Sequence, residues 1–213
     1  GYAELFRMGA VRDQEKTETA MRRIEEEATR MGALVEDLLT LARVDEEPER
    51  ERAPVDIAAL ARDAVNDARA TAPQRSISID APAPAVVNGD SHQLRAVLAN
   101  LMRNALVHTP ADTPIEVTLH DSNGHVELTV RDHGAGLPPE SIERLFDRFW
   151  RTEQGRERGR AGAGLGLAIV ADVVRAHGGT VHAANADGGG ALFVVDLPKG
   201  NSAPPLSTPP RAD

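Results

Sequence analysis

The first 45 residues of the chain carry a repeating pattern of apolar positions. Between residues 17 and 45, apolar side chains recur at alternating spacings of three and four: Met21, Ile24, Ala28, Met31, Val35, Leu38 and Ala42. Leu34 and Leu41 widen this stripe. Such heptad spacing predicts a long amphipathic helix that buries its stripe against a partner. With residues 1–8 as the end of an earlier helix, it predicts a helical hairpin that dimerises as a four-helix bundle. A helix packed on its own globular domain is the alternative.

Beyond residue 48 the pattern changes to alternating helix and strand signals. A charged stretch at 46–52, bracketed by Pro48 and Pro54, predicts a linker. Helical spacing predicts helices at 57–70, 92–107, 139–149 and 165–176. Asp56 is suited to cap the first of these helices, and Asp90 or Ser91 the second. Alternation with a period of two predicts strands at 76–80, 86–87, 115–120, 125–132, 180–185 and 191–197.

The order of these elements predicts an α+β fold. Successive strands are mostly joined as hairpins with helices inserted between them, which favours helices on one face of a mixed, largely antiparallel sheet. The predicted domain organisation is a helical hairpin at 1–48, a linker at 49–54, an α+β domain at 55–197 and a tail at 198–213. The tail is rich in proline and poor in apolar residues, so we expect it to be disordered.

Composition excludes several functional classes. Cysteine is absent, which rules out disulfides, thiolate metal sites and cysteine nucleophiles. The only lysines, Lys16 and Lys199, have neither the P-loop context nor that of a eukaryotic-type kinase. The net charge of −9 argues against non-specific binding to nucleic acid. No apolar run reaches the roughly 20 residues of a membrane span, so we expect the chain as given to be soluble.

A first candidate cluster lies on the helix predicted at 92–107. Asn100 and Asn104 are four residues apart and therefore share one face of that helix. A carboxamide oxygen can bind Mg²⁺ without adding a negative charge that would repel phosphates. A solvated helix face is the alternative explanation of such a pair.

A second cluster, Asp132, Gly134 and Gly136, leaves the end of the strand predicted at 125–132. A carboxylate at a strand end can accept a hydrogen bond from an amino group when it lies in an apolar pocket. The two glycines allow the backbone to pass close to a flat ligand and to adopt positive φ. A simple tight turn is the alternative.

A third cluster opens the helix predicted at 165–176. It consists of Gly162, Gly164, Leu165, Gly166 and Leu167. Free backbone N–H groups at a helix start, together with the helix dipole, form an anion site suited to phosphates. The Gly-x-Gly-x-Gly spacing and the preceding loop differ from the dinucleotide-binding fingerprint, which excludes a Rossmann fold.

Taken in order, these clusters resemble the boxes of the ATP-binding domain of two-component sensor histidine kinases. Asn-x-x-x-Asn-Ala is similar to the N box of the family, and Asp-x-Gly-x-Gly is similar to its first glycine box. The sequence at 145–151 is similar to the F box, and Gly-x-Gly-Leu-Gly-Leu is similar to the second glycine box. The resemblance covers residues 55–197 and implies the helix-on-sheet (Bergerat-type) ATP-binding sandwich shared with gyrase, Hsp90 and MutL. Less specifically, residues 1–48 resemble the dimerisation and phosphotransfer hairpin.

The resemblance implies roles for individual residues. Asn104 corresponds to the Mg²⁺-binding asparagine and Asn100 to the earlier asparagine of the N box. Asp132 corresponds to the carboxylate that recognises the adenine amino group. His108 lies where the family often has a basic or aromatic residue near the phosphates, and a plain surface histidine is the alternative.

The F box lies at the root of a flexible ATP lid in this family. Phe146 and Phe149 match the two phenylalanines of that box, and the lid corresponds to about residues 151–161. Its arginines are suited to steer a triphosphate, although a solvated arginine run is an equal explanation for any one of them.

The sequence departs from the family pattern at two places. Gly190 and Ala191 stand where the family usually has Gly-Thr, so a hydroxyl contact near the adenine is lost. No histidine precedes His92, and residues 91–95 imitate the phosphoacceptor box only superficially, because the Glu after the His and the Thr-Pro after the Arg are missing. We interpret His92 as a surface residue at a helix start and expect the chain to be a fragment that lacks the box.

By resemblance, the parent protein transfers the γ-phosphoryl group of MgATP to a histidine absent from this chain, and then to an aspartate of a response regulator. The resemblance also implies a homodimer, a cytoplasmic catalytic region and a membrane anchor in the parent, while the net charge of −9 is the argument against a nucleic-acid partner. An ATPase of the gyrase and Hsp90 type, or a degenerate ATP-binding interaction module, is the alternative.

Overall fold

The structure, a computed structural model, describes residues 14–46, 52–81, 83–122, 124–151 and 163–199. Four expectations therefore concern residues outside the described part. They are the earlier helix at 1–8, residues 49–51 of the linker, most of the lid with Gly162, and nearly all of the proline-rich tail.

The described residues form five helices and seven strands. The helices are α1 (Gln14–Glu46), α2 (Ile57–Thr71), α3 (Ser91–His108), α4 (Pro139–Ile142) and α5 (Gly166–Ala176). The strands are β1 (Ala53–Asp56), β2 (Ile77–Asp80), β3 (Val86–Gly89), β4 (Ile115–Ser122), β5 (His125–Asp132), β6 (Thr180–Asn185) and β7 (Ala191–Pro198). None of these described helices is both long and apolar enough to be a candidate membrane span.

Five of the strands form a mixed sheet in the order β2–β4–β5–β7–β6. The β2–β4 pair is parallel and the other neighbouring pairs are antiparallel. Alternate residues of a strand share one face, and on that face Val117, Leu128 and Val195 are buried in the core with α2, α3 and α5. α3 packs between α2 and α5. The expected α+β class is therefore confirmed.

Strand β1 was not predicted, because Pro54 reads as the end of a linker. In the structure, residues 53 and 54 belong to β1, which pairs antiparallel with β3 in a separate two-stranded ribbon. Proline is tolerated in such a strand because a two-stranded ribbon leaves one side of each strand unpaired. The carboxylate of Asp56 then accepts hydrogen bonds from the N–H groups of Ala58 and Ala85, each at 3.0 Å, which caps α2 as expected.

The helix predicted at 139–149 is too long. Only α4 is helical, and turns follow it up to Trp150. Successive hydrogen bonds in this stretch span three residues, as in those from the N–H of Arg144 to the carbonyl of Ser141 and from Asp147 to Arg144 (both 3.0 Å). The spacing of apolar residues alone does not distinguish turns with such three-residue hydrogen bonds from an α-helix.

Helix α1 carries apolar residues on two sides. Leu41 is buried, and Leu34 packs against the core of the α+β domain, where α1 contacts α5. Met31, Val35 and Leu38 of the heptad stripe are exposed, Met31 to 61%. The helix therefore packs on the α+β domain through Leu34 and Leu41, which flank the heptad stripe. Met31, Val35 and Leu38 of the stripe itself remain open to a partner.

The residue after α5, His177, is buried against the start of α3. It is 6% exposed, its Nδ1 lies 2.8 Å from the carbonyl oxygen of Val173, and its Nε2 accepts a hydrogen bond from the N–H of Asp90 at 3.1 Å. Both contacts are satisfied by the neutral ring with its proton on Nδ1. Burial lowers the pKa of His177, the bond to Val173 opposes this effect, and the smaller influences of Arg52 and Asp90 lower and raise it respectively.

We predict that His177 makes the fold less stable in acid. Because its pKa in the folded state lies below the unfolded value of about 6.5, the unfolded chain binds more protons as the pH falls below that value. The free energy of unfolding therefore has its full value above about pH 6.5 and decreases as the pH falls through the folded-state pKa. In urea unfolding, His177→Gln should lose less stability than wild type between about pH 8 and pH 5.

The matched control is His182→Gln on the exposed face of β6, which should keep the wild-type pH dependence. Some pH dependence of the free energy of unfolding will remain in both variants, because the pKa of His108 is lowered as well. Identical pH profiles for wild type and His177→Gln would contradict the prediction.

Candidate functional site

The last turns of α3, the end of β5 and the start of α5 lie close together, and they carry the three predicted clusters. Asp90, rather than Ser91, caps α3 by accepting hydrogen bonds from two backbone N–H groups of its first turn (2.8 and 3.2 Å). The helix packs its apolar face on the core, and intervals of four residues place Asn100, Asn104 and His108 along one side.

The carboxylate of Asp132 is buried at the end of β5 and only half satisfied. The residue is 5% exposed. Its Oδ1 accepts hydrogen bonds from the N–H of Gly134 at 2.9 Å and from the N–H of Ala191 at 3.2 Å. No described residue donates a hydrogen bond to Oδ2, and this atom is not fully enclosed by the protein. One oxygen is thus fixed by the backbone, and the other can accept a hydrogen bond from a ligand.

The turn after Asp132 requires glycine at two positions. A Cβ at Gly134 would lie 2.7 Å from Cγ2 of Thr109, and 2.9 Å from Oδ1 of Asp132. Gly136 has a φ of 79°, and a Cβ there would lie 2.6 Å from Oδ1 of Asn185. Side chains at either position would push the turn away from its neighbours, so the glycines keep the backbone close to the carboxylate.

The N box and the second glycine cluster are in direct contact. A Cβ at Gly166 would lie 2.7 Å from Oδ1 of Asn100 and 2.9 Å from Nη2 of Arg103. Asn100 is buried; it accepts a hydrogen bond from Arg103, and its Nδ2 donates to the carbonyl of Ala96 at 3.0 Å. The structure therefore places Asn100 at the packing contact between α3 and α5.

The F box joins the start of the second glycine cluster. Gly164 has a φ of 77°, and its carbonyl accepts a hydrogen bond from the N–H of Phe149 at 2.9 Å. Phe149 also has a positive φ, 64°, and is 64% exposed. Positive φ is strained for an aromatic residue, so this contact fixes an unusual backbone between the two boxes. Leu165 is fully buried and Leu167 packs against the core, which anchors the start of α5.

Asn104 and His108 lie at the open side of this site. Asn104 is half-buried, and its side chain has no hydrogen bond to any described residue. His108 is exposed overall, but the protein atoms around its ring lower its pKa; Arg151 lowers it further, and Asp132 raises it. His108 therefore lies within the electrostatic reach of both Asp132 and Arg151.

Arg75, which no sequence motif marks as functional, joins the end of α3 to the start of β4. It is 7% exposed and donates to the carbonyl of Thr113 at 2.7 Å, to those of Leu106 and Ala105 at 3.2 Å, and to the hydroxyl of Thr109. Burial lowers the pKa of its guanidinium, and the charges of Asp132 and Asp112 oppose this shift. These contacts span at least 30 residues, so no local pattern reveals them.

The two departures from the family pattern can be placed in the structure. Ala191 contributes its backbone N–H to Asp132, so the backbone contact of this position does not depend on a hydroxyl. His92 is the second residue of α3 and lies in its first turn, next to the Asp90 cap and at the opposite end of the helix from His108.

Comparisons with known proteins agree with this arrangement. The sequence profile of the family described as "Histidine kinase-, DNA gyrase B-, and HSP90-like ATPase" matches residues 89–201, just over half of the chain. TcrY of Mycobacterium tuberculosis, named a probable sensor histidine kinase, is 42% identical over 213 residues, which cover 99% of this chain and 44% of TcrY. The chain thus spans less than half the length of this relative.

Two solved structures have the same architecture. The mycobacterial sensor histidine kinase MprB matches with a TM-score of 0.62 and 31% identity, over 69% of this chain and 97% of the other. Full-length ShkA in complex with AMPPNP matches with a TM-score of 0.71 and 29% identity, over 91% of this chain and 41% of the other.

Helices packed on one face of a mixed five-stranded sheet are the architecture that this chain shares with these two structures. The chain belongs to the histidine kinase-, DNA gyrase B- and HSP90-like ATPase family. TcrY and MprB are both named as sensor histidine kinases, and the chain contains an ATP-binding catalytic domain of this type.

We predict that Arg75→Met lowers the free energy of unfolding by about 3 kcal/mol, because three carbonyl groups, two of them in buried contacts, lose a charged donor. Arg75→Lys keeps the charge but not the planar set of donors, so its free energy of unfolding should lie between those of wild type and Arg75→Met. Urea denaturation at neutral pH measures both.

The control is Arg95→Met, which removes an exposed ion pair with Asp63 (3.3 Å) and should cost less than about 1 kcal/mol. If Arg75→Met were no more destabilising than Arg95→Met, Arg75 would not tie α3 to the sheet.

Proposed function

We propose that this chain binds MgATP between α3, the end of β5 and the start of α5, and that it serves a sensor histidine kinase by delivering the γ-phosphoryl group to a histidine. The observation that carries the proposal is the half-satisfied carboxylate of Asp132. A buried carboxylate is costly unless its oxygens are hydrogen-bonded, so an oxygen left open at a pocket edge suits a ligand with an amino group.

Adenine offers such a donor in its exocyclic amino group. Oδ2 of Asp132 accepts from this group while Oδ1 remains bonded to the N–H groups of Gly134 and Ala191. Gly134 and Gly136 leave room for the flat base beside the turn. Guanine has a carbonyl at the corresponding position, and two acceptors facing each other would repel. The ShkA relative, solved with AMPPNP, supports an adenine nucleotide as the ligand.

The start of α5 is suited to the phosphates. Leu165 provides no side-chain cap, so the N–H groups of the first turn are open to an anion. Gly164 and Gly166 allow close approach of the backbone, and we include Gly162 and Leu167 in the same binding segment. The exposed Phe149 contributes to the nucleotide site from the neighbouring F box.

Asn104 is the residue suited to hold Mg²⁺. Its carboxamide is half-buried and available, and no group of three or more His, Asp or Glu residues in the described part could hold a metal by itself. This donor set fits Mg²⁺, which commonly uses few protein oxygens together with substrate phosphates. When bound, the ion neutralises phosphate charge, and Asn104 orients it. Asn100 supports this site through its packing against Gly166.

His108 is positioned to act near the phosphates as a neutral group. Its lowered pKa keeps the imidazole uncharged at neutral pH, so it acts as a hydrogen-bonding group rather than as a cation. Phosphoryl transfer depends mainly on positioning and charge stabilisation, and the residues named above provide both.

The phosphoacceptor and the protein partners come from outside this site. His92 lies at the far end of α3 from the clusters, and no histidine precedes it in the sequence. We propose that the acceptor histidine belongs to the dimerisation hairpin, that the exposed stripe of Met31, Val35 and Leu38 packs in a homodimer, and that a response regulator receives the phosphoryl group. The resemblance also supports a cytoplasmic catalytic region in a membrane-anchored parent, and the net charge of −9 argues against a nucleic-acid partner.

We predict that Asp132→Ala weakens ATP binding roughly ten- to a hundredfold, because the adenine amino group loses its acceptor. Wild type should bind GTP far more weakly than ATP. Isothermal calorimetry with both nucleotides measures these effects, with Asp67→Ala on the exposed side of α2 as the control. Equal affinities of wild type for ATP and GTP would contradict this role of Asp132.

We predict that Asn104→Ala weakens nucleotide binding much more in Mg²⁺ than in a chelator. The lost contact is to the metal, so binding of metal-free ATP should change little. Calorimetric titrations of both proteins in the two buffers give the comparison. A loss of the same size in both buffers would show that Asn104 acts on the nucleotide or on the fold instead.

A further inference from the structure

Asn185, the last residue of β6, holds the glycine turn that follows β5. Its Oδ1 accepts a hydrogen bond from the N–H of Leu137 at 2.6 Å, and its Nδ2 donates to the carbonyl of Leu137 at 2.9 Å. One carboxamide thus satisfies both backbone polar groups of a single residue, as a neighbouring strand would. The two residues are 48 positions apart in the sequence.

The turn has few other restraints. Among the described residues, the backbone N–H groups from Gly134 to Leu137 form two hydrogen bonds, one from Gly134 to Asp132 and one from Leu137 to Asn185. Between these points lie Ala135 and Gly136. Glycine has the largest backbone freedom of any residue, so such a turn is ordered mainly by its two ends.

The hairpin formed by β6 and β7 fixes both ends of the glycine turn. β6 and β7 are joined by a tight connection in which the N–H of Ala186 donates to the carbonyl of Gly190 at 2.9 Å. Asn185 precedes this connection and binds Leu137, while Ala191 follows it and donates to Asp132 at 3.2 Å. The hairpin therefore fixes the carboxylate and the glycine turn relative to each other.

We propose that Asn185 is a positioning residue of the nucleotide site. By holding Leu137, it keeps the glycine turn in the conformation that leaves the open oxygen of Asp132 accessible to the base. This inference rests on the proposed function, namely ATP binding at Asp132. Without Asn185, the turn samples more conformations, and ordering it on binding weakens the affinity.

The test combines amide hydrogen exchange with calorimetry on three variants of the full chain. Asn185→Ala removes both hydrogen bonds. Asn185→Asp keeps an acceptor for the N–H of Leu137 but places a carboxylate against the carbonyl of Leu137. Asn66→Ala changes an exposed asparagine on α2, away from the site, and serves as the matched control.

We expect the amide of Leu137 to exchange at least about tenfold faster in Asn185→Ala, with Asn185→Asp intermediate, while core amides such as those of Leu128 and Val195 keep their protection. The affinity for ATP and for adenosine should fall by roughly tenfold in Asn185→Ala. The affinity for inorganic tripolyphosphate, which needs only the start of α5, should stay at the wild-type value. Asn66→Ala should match wild type in every measurement.

Wild-type affinity for adenosine in Asn185→Ala would overturn the positioning role. So would an equal loss for adenosine and tripolyphosphate together with faster core exchange, because both would then follow from general loosening of the fold. Failure of the wild-type chain to bind ATP at all would instead refute the proposed function on which the inference rests.

Discussion

The structure of the candidate site depends on how the carboxylate of Asp132 is held. Burying a carboxylate is unfavourable unless hydrogen bonds replace the lost water. Two backbone N–H groups meet this need at Oδ1, one from Gly134 in the adjoining turn and one from Ala191 at the start of β7. The second donor is available only because β7 lies next to β5 in the sheet, so strand order and carboxylate orientation are linked.

The other parts of the site are held by close backbone approaches rather than by large side chains. Gly190 has a φ of 89° and lies so close to the carbonyl of Asp132 that a Cβ could not fit. Gly166 lies against the side chain of Asn100, which brings the start of α5 to α3. Arg75 binds carbonyl groups at the end of the same helix. Segments that are distant in sequence are therefore held close together around the proposed nucleotide site.

Much of the fold follows from local sequence features. Strand β5 has the bounds that its alternating pattern predicts, because one face is buried and the other is not. Asp56 and Asp90 mark the starts of α2 and α3, since each carboxylate accepts from N–H groups of the first turn. The order of the glycine and asparagine clusters alone indicates the family, and the family profile agrees.

The features that the sequence does not predict depend mostly on contacts between residues far apart in the chain. The contacts of Arg75 with Thr113 and of Asn185 with Leu137 join residues 38 and 48 positions apart, and neither leaves a periodic trace. Strand β1 contains a proline and is stabilised by its partner β3, so its own residues read as a linker. The two apolar sides of α1 are not distinguishable from their spacing, because it is the packing of Leu41 in the core of the α+β domain that separates them.

We propose that this chain positions MgATP for transfer to a histidine that does not lie among its own residues. The experiment incubates the chain with γ-labelled MgATP, alone and with a separately produced dimerisation hairpin that carries a phosphoacceptor histidine. We expect acid-labile, base-stable label on the added hairpin only, and loss of this label with Asp132→Ala. Label on this chain alone that disappears in His92→Gln would show that His92 is the acceptor and would refute the proposal.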